Sequence, residues 1–449
     1  MRHVQPLLWV AQGAGETPGN PIRLSLFFSL ALLCSAAVAP GGIIYVDGSA
    51  TGADNGTSWA NAYTDLNSAL TAAVSGDEVR VAAGLYRPAP PGGNQSNRFD
   101  IKSGVALYGG FPAGGGSSKT RFSCTRPTIL SGDLNGDDGS GNQLDNAYQV
   151  VYLRSAVLDG VTVTAGSGCG SLEICDRTCT IRNCIFRDNY GGAISSVDGD
   201  VTVINCAFLN NLPCQAGRSG GIEQDIGKLT VTNCTFVNNS DSGISSTANQ
   251  LLVTNSIFWD NLPCQIDDIA GTAQVTYSCV QGGWSGTGNI SVDPQLVDAA
   301  ADDPHVLPVS QCVDVGTSSA PKLESHDLEG DPRPWASEVD IGADETAPRL
   351  YVSGTPSPRS SFLLRIIGTP LSTPNFLIRG GFVLDPPLST PYGDWCLGPA
   401  IVFYPLKPLP PNGLETIKID VPPSVPPTVV PIQAFLGNRL TNLCLIDIR

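Results

Sequence analysis

Three groups of residues in this chain have types and spacings that chemistry could use. The first is Gly132-Asp-Leu-Asn-Gly-Asp-Asp-Gly139. Asp133, Asn135, Asp137 and Asp138 place oxygen-bearing side chains at the close intervals of a calcium loop. Two positions depart from that pattern. Asp138 stands where a glycine makes the sharp turn, and Leu144 falls where the closing acid belongs. An ordinary polar Gly/Asp turn accounts for the residues slightly better, so calcium is the one cofactor in view. The second group is Asp200 and Lys228, with Asp198 and Asp225 close by. A polysaccharide lyase needs a basic side chain to take the sugar C5 proton and a calcium cluster to neutralise the uronate. Lys228 is the candidate base, and Asp198, Asp200 and Asp225 are the candidate calcium carboxylates. An exposed Asp200–Lys228 ion pair is the simpler account. The third group would be a carboxylate pair set across a sugar for glycoside hydrolysis. Asp267 and Asp268 are adjacent, and one side chain of such a pair usually points away. The histidines are His3, His305 and His326, none of them in the repeats described next. No His-based hydrolase or metal site, nucleotide loop or Ser/His/Asp arrangement is apparent.

The elements that must carry these residues are legible from a repeat. Thr180-Ile-Arg-Asn-Cys-Ile-Phe-Arg-Asp-Asn189 returns as residues 202–211, 230–239 and 252–261. Its first asparagines are Asn183, Asn205, Asn233 and Asn255; weaker copies lie at Leu158–Val161 and Val275–Ser278. A repeat of this length is one coil of a solenoid. Short β-branched runs broken by Asn and Gly make it strand-like. Aligned on the asparagine, the chain shows columns Ile181/Val203/Val231/Val253, Cys184/Cys206/Cys234/Ser256, Phe186/Phe208/Phe236/Phe258 and Leu172/Ile194/Ile222/Ile244/Ile266. One coil is longer, and its extra residues fall at Leu212–Gly217. The pattern predicts three short strands per coil, a left-handed corner at the asparagine, and coils about 4.8 Å apart that stack like on like. Asn189, Asn211, Asn239 and Asn261 should form a second ladder. Asp200 and Lys228, each five residues before their asparagine, should be neighbours on adjacent coils. The expectation is a parallel β-helix.

Composition agrees and narrows the partners. The chain has 449 residues, 50 Gly, 35 Pro, one Met and a net charge of −16. The acidic balance argues against nucleic acid, anionic membrane surfaces and, without a bridging cation, anionic polysaccharides. Arg23, the apolar run Leu24–Cys34 and Ala37-Val38-Ala39 read as an export signal, so a secreted or cell-surface location is expected. The run is too short for a transmembrane anchor, and no other span would cross a membrane. Some of the remaining cysteines should pair in an oxidising compartment. Cys169, Cys175 and Cys179 are expected to share a loop, and Cys396 with Cys444 is a fair pair. Cys214 and Cys264 lie two coils apart, too far for an unstrained bond. The stacked Cys184, Cys206 and Cys234 are expected as small buried hydrophobes rather than metal ligands.

Before the repeats, Ile44–Asp47 and Val79–Val81 read as strands. Thr64–Ala73 has helical spacing with Gly76 as its stop, which suits a cap over the solenoid end. From Pro348 onward, alternating segments with many prolines suggest a small β-sandwich. The divisions expected are a signal at 1–39, an N-terminal cap with a short helix at 40–90, the solenoid with a closing segment at 91–346, and a Pro-rich β domain at 347–449.

Several of these segments resemble a known family. Tyr45-Val-Asp47, Gly56-Thr-Ser-Trp59, Ala62-Tyr63 and Asp77–Tyr86 look like the opening of secreted bacterial right-handed β-helix proteins. Leu130–Asp137 and Asp145–Val151 match their next coils, with Gln149 where His is usual. Asp293-Pro294, His305–Pro308, Cys312–Gly316 and Asp331–Pro334 resemble their closing segment. Val339–Glu345 is similar to their choice-of-anchor Q signature, with Asp344 in place of Tyr. The resemblance covers roughly 43–346 and implies a right-handed parallel β-helix and export. It assigns no activity, since the family is related only in fold to pectate lyases and polymorphic outer-membrane adhesins. The expected fold is therefore all-β, a right-handed parallel β-helix followed by a small C-terminal β-sandwich-like domain. The expected role is non-catalytic binding or adhesion toward a polysaccharide or cell-surface glycan, with Trp259 and Tyr190 among the displayed aromatics. A calcium-dependent polysaccharide lyase is the alternative, and a structural envelope component a third.

Overall fold

A computed structural model describes residues 41–116, 121, 127–175, 178–298 and 303–347, together with the strands and part of the connections of 349–448. The segment expected to be an export signal lies outside the described residues. Three long parallel sheets run through residues 43–280. The nine-stranded sheet begins at Ile43–Val46 and Glu78–Ala82 and ends at Ala273–Thr276. The seven-stranded sheet runs from Phe99–Ile101 to Leu262–Asp268, and the eight-stranded sheet from Gly84–Tyr86 to Cys279–Val280. Each coil supplies one short strand to each sheet, so neighbours in a sheet are one coil apart in sequence.

The columns stack as the repeat requires. Val203, Val231 and Val253 are register partners, as are Phe208, Phe236 and Phe258. Ile194, Ile222 and Ile244 pair in the same way. All nine side chains are buried in one core. Like residues repeat because one apolar interior runs the length of the solenoid and every coil meets it at the same three places. The phenylalanine rings stack nearly parallel, with centroids 5.1, 4.4 and 4.5 Å apart from Phe186 to Phe258. Cys184, Cys206 and Cys234 are free thiols buried in that core.

The corners explain the asparagines. Asn183, Asn205, Asn233 and Asn255 have φ of 50–53°. Asparagine adopts this left-handed backbone more readily than other non-glycine residues. The weaker copies turn at the same place with Gly160 at φ 75° and Tyr277 at φ 49°. A second left-handed corner falls at Asp188, Asn210, Asn238 and Asp260, one residue before the second asparagines. Those second asparagines point inward and are buried. Asn189 Nδ2 donates to Asn211 Oδ1, Asn211 to Asn239 and Asn239 to Asn261, each at 2.8 Å. Each Nδ2 also donates to a backbone carbonyl of the coil before, at Val163, Phe186 and Phe208. Both amide protons are thus satisfied inside the core, which buried amides require.

The helix α1 (Leu66–Ala72) is capped by Asp65, whose carboxylate accepts the Asn67 and Ser68 N–H groups. Leu66, Ala69 and Leu70 face the main core and cover its first coil. At the other end, residues 303–345 fold back along the eight-stranded sheet. Leu328 and Ala343 pack on Ala207, Leu209 and Val237. Val306, Cys312 and Ile341 pack on Ile257 and Cys279. Trp259, expected on an open face, is half-buried against this segment. Beyond it, three-, five- and two-stranded antiparallel sheets form the C-terminal part. Leu350, Leu364 and Ile366 from one sheet share a core with Ile432, Ala434 and Leu436 from another, as in a small sandwich. No helix among the described residues is long and apolar enough to cross a membrane.

The cysteines expected to share a loop do not: the strand Leu172–Ile174 separates Cys169 from Cys175, and Cys179 begins the strand Cys179–Arg182. Cys169 bonds to Cys214, with Cα atoms 5.1 Å apart, while Cys175 and Cys179 stay free. The physical reason is the long coil. Its extra residues 212–217 loop out between Ala207–Leu209 and Ile222–Gln224, which brings Cys214 back over the earlier coil that carries Cys169. The side chains of Cys396 and Cys444 lie outside the described residues.

Candidate functional sites

The acidic loop occupies the connection from Thr128–Ser131 to Val151–Leu153, at the corner between the eight- and seven-stranded sheets. Asp133 Oδ1 accepts the Gly136 and Asp137 N–H groups at 2.7 and 3.1 Å, which closes the turn. Carboxylate oxygens of Asp133, Asp137 and Asp138 lie within 4.8 Å of one another. Asn142 Nδ2 donates to Asp137 Oδ2 and to Asp145 Oδ1. Asn146 Nδ2 donates to Asp138 Oδ2 at 3.2 Å. Asn135 does something else: its Oδ1 accepts the Gly92 N–H at 2.8 Å and holds the neighbouring loop. Three oxygens here are buried and have no hydrogen-bond partner, namely Asp137 Oδ1, Asp138 Oδ1 and Asn146 Oδ1. Leaving such an atom unpaired costs about 1–3 kcal/mol, more when it is charged. Burial pushes the Asp138 carboxyl up, and the charges of Asp133, Asp145 and Asp137 add to the shift against the Asn146 hydrogen bond.

The expected lyase residues sit elsewhere. Asp200 and Lys228 are register partners at the start of adjacent strands of the nine-stranded sheet. They form no ion pair with each other at 4.0 Å or less, so the simple pairing expected for them is not made. Gln250 follows Lys228 in the column. Asp198 is exposed and Asp225 half-buried on the connections leading into these strands. Among the described residues these three aspartates do not converge as the Asp133, Asp137 and Asp138 carboxylates do.

Two groupings escaped the reading of the sequence. The first is a stripe on the outer face of the seven-stranded sheet. Asp100, Tyr152, Glu173, Ser195, Glu223, Ser245 and Asp267 succeed one another in register. Arg98 pairs with Glu173 at 3.0 Å, Arg154 with Asp100 at 2.8 Å and Arg218 with Glu223 at 3.2 Å. The Arg98 and Arg154 guanidinium carbons lie 3.7 and 4.8 Å from the centre of the half-buried Tyr152 ring. Burial raises the pKa of Glu223, with Arg218 opposing. The signal was present in the alignment, because Glu173, Ser195, Glu223 and Ser245 each follow a residue of the Leu172-to-Ile266 core column. In a strand the next residue points the other way.

The second grouping is His305, Glu329 and Asp344 in the closing segment. His305 Nε2 lies 3.0 Å from Glu329 Oε2 and 3.8 Å from Asp344 Oδ1, while Nδ1 contacts Asp303. No His-based metal site was expected, yet ligand atoms of His305, Glu329 and Asp344 lie within 4.8 Å of one another. The residues are far apart in sequence, and the closing segment must fold before they meet. Arg365 of the C-terminal part reaches Asp303 at 3.6 Å and joins the network.

Comparison with known proteins agrees with this architecture. Residues 134–280 match the family described as right handed beta helix region. No curated protein and no solved structure matches the chain. The matched segment spans the coils from the acidic loop to the last strand of the eight-stranded sheet, and together with the three parallel sheets it shows the fold: a right-handed parallel β-helix.

Proposed function

We propose that this chain is an exported, cell-surface or extracellular β-helix protein that binds glycans without transforming them, and that the stripe on the seven-stranded sheet is its binding face. The observation that carries the reading is the Tyr152 site. A half-buried ring is flanked by two guanidinium groups, each paired to a carboxylate. Such pairs present donors and acceptors in fixed planes, which sugar hydroxyls can engage from both sides. An aromatic ring adds an apolar surface with a polar edge. Successive coils repeat the polar outward positions about every 4.8 Å, so an extended chain of sugars would meet similar groups along its length. Opposite charges offset one another along the stripe, which favours neutral glycans over uronates.

Export is supported by the apolar run at 24–34 and by the Cys169–Cys214 bond, which suits an oxidising compartment. The choice-of-anchor Q assignment rests on the motifs of residues 293–345 and extends the reading to surface attachment. The lyase alternative rests on Lys228, which has Asp200 and Gln250 as column neighbours but no converging aspartates. An envelope component without a soluble ligand would show no glycan retention at all. Incubation with a panel of polysaccharides, monitored for the absorbance of unsaturated products with calcium and with chelator, separates binding from lysis. The proposal expects no such product in either condition. Calcium-dependent product that disappears in Lys228→Ala would replace it with the lyase.

A further inference from the structure

We propose that the acidic corner loop is a calcium site in which Asp133, Asp137, Asp138 and Asn146 hold a single ion. The inference stands apart from glycan binding. It begins from three carboxylates whose oxygens approach within 4.8 Å of one another. None of the three forms an ion pair with Lys, Arg or His among the described residues. Proximity of acids alone would not define a site. The decisive feature is Asn146, which is fully buried, abuts Asp138 through its Nδ2, and has an Oδ1 with no partner. The Asp137 and Asp138 Oδ1 atoms are buried and unpartnered as well. Three buried acceptor oxygens within one short loop, none of them with a donor, leave that loop short of positive charge.

The donors choose the ion. All are oxygens, which suits a hard cation. Their arrangement in an irregular turn suits calcium, which accepts variable geometry, better than magnesium, which demands a near-ideal octahedron and keeps its waters. The site differs from the simple loop pattern. Asn135 is committed to Gly92, and the distant Asn146 takes its place. Asn142 and Asp145 brace the turn from outside. The loop also holds its neighbours, because Gln95 Nε2 donates to the Leu144 and Asn146 carbonyls and Ser167 Oγ to that of Asn146. An ion here would fasten the early coils at the corner where the Cys169–Cys214 bond fastens the later ones.

The test uses the full chain stripped with EGTA. Calcium chloride is titrated in a calorimeter, and melting temperature is measured in calcium, in magnesium at equal ionic strength, and in EGTA. The expected result is one calcium bound per chain and a melting temperature that rises with calcium concentration, well above the effect of magnesium. Asp138→Asn, which keeps the side-chain shape, should weaken binding at least tenfold, and Asp137→Asn provides the same reading should the first variant fold poorly. An unchanged melting temperature and no binding heat in millimolar calcium would return the loop to an ordinary turn with bridging water. Wild-type affinity in the folded Asp variants would place the ion elsewhere on the acidic surface, and it would equally overturn the assignment.

Discussion

Glu345 sits in the closing segment with its carboxyl buried, accepting the Asp340 N–H at 3.0 Å and the Trp335 N–H at 3.1 Å. Burial pushes its pKa up to about 7, against the pull of Arg333 and with Asp340 adding to the rise. An unfolded glutamate releases its proton near 4.5. Between those values the folded state holds a proton that the unfolded state lacks, so stability falls as pH rises through this window. Asp340 and Glu223 are shifted in the same direction by burial. Melting temperature should therefore decrease from pH 5 to pH 8, and Glu345→Gln should flatten part of that slope. A variant with the wild-type pH profile would show that Glu345 does not ionise in this range. Residues of this kind were hidden in the sequence, because burial of the acid depends on a segment that folds back over distant coils. The corner asparagines were legible, since their left-handed backbone restricts the residue type at each turn.

The strand columns are the elements on which the fold rests. Phe236 is fully buried between Phe208 and Phe258, at 4.4 and 4.5 Å between ring centroids. Phe236→Ala should cost about 3–5 kcal/mol in denaturant unfolding, as large-to-small changes do in a core that cannot collapse. A loss below about 1 kcal/mol would mean that neighbouring coils close over the gap, contrary to a rigid stack. These columns could be read from the sequence because each coil meets the same core at the same offset. The outward stripe followed the same offset yet carries differing residues from Asp100 to Asp267, so no repetition drew attention to it. The Cys169–Cys214 bond was illegible for another reason. Spacing along the chain does not show how far a looped-out corner returns across the coils. The second corners at Asp188, Asn210, Asn238 and Asp260 were missed because the position is shared by Asp and Asn rather than held by one residue type.

At the scale of the whole molecule, the three sheets carry different groups on their outer faces. The closing segment covers much of the eight-stranded sheet and half-buries Trp259. The nine-stranded sheet carries Asp200 and Lys228 at one edge. The seven-stranded sheet presents Tyr152 with its arginine–carboxylate pairs. The proposed glycan-binding role is assigned to the last of these, and it can be separated residue by residue from the lyase reading. Lys228 has no ion pair with Asp200, so Lys228→Ala should leave stability within about 0.5 kcal/mol of wild type, as surface substitutions usually do. Affinity electrophoresis through gels containing neutral polysaccharides tests the central claim most directly. The wild type and Lys228→Ala should be retarded alike by at least one glycan, and Tyr152→Ala should migrate as in a gel without polysaccharide. Free migration of the wild type through every gel, or undiminished retardation of Tyr152→Ala, would contradict the account.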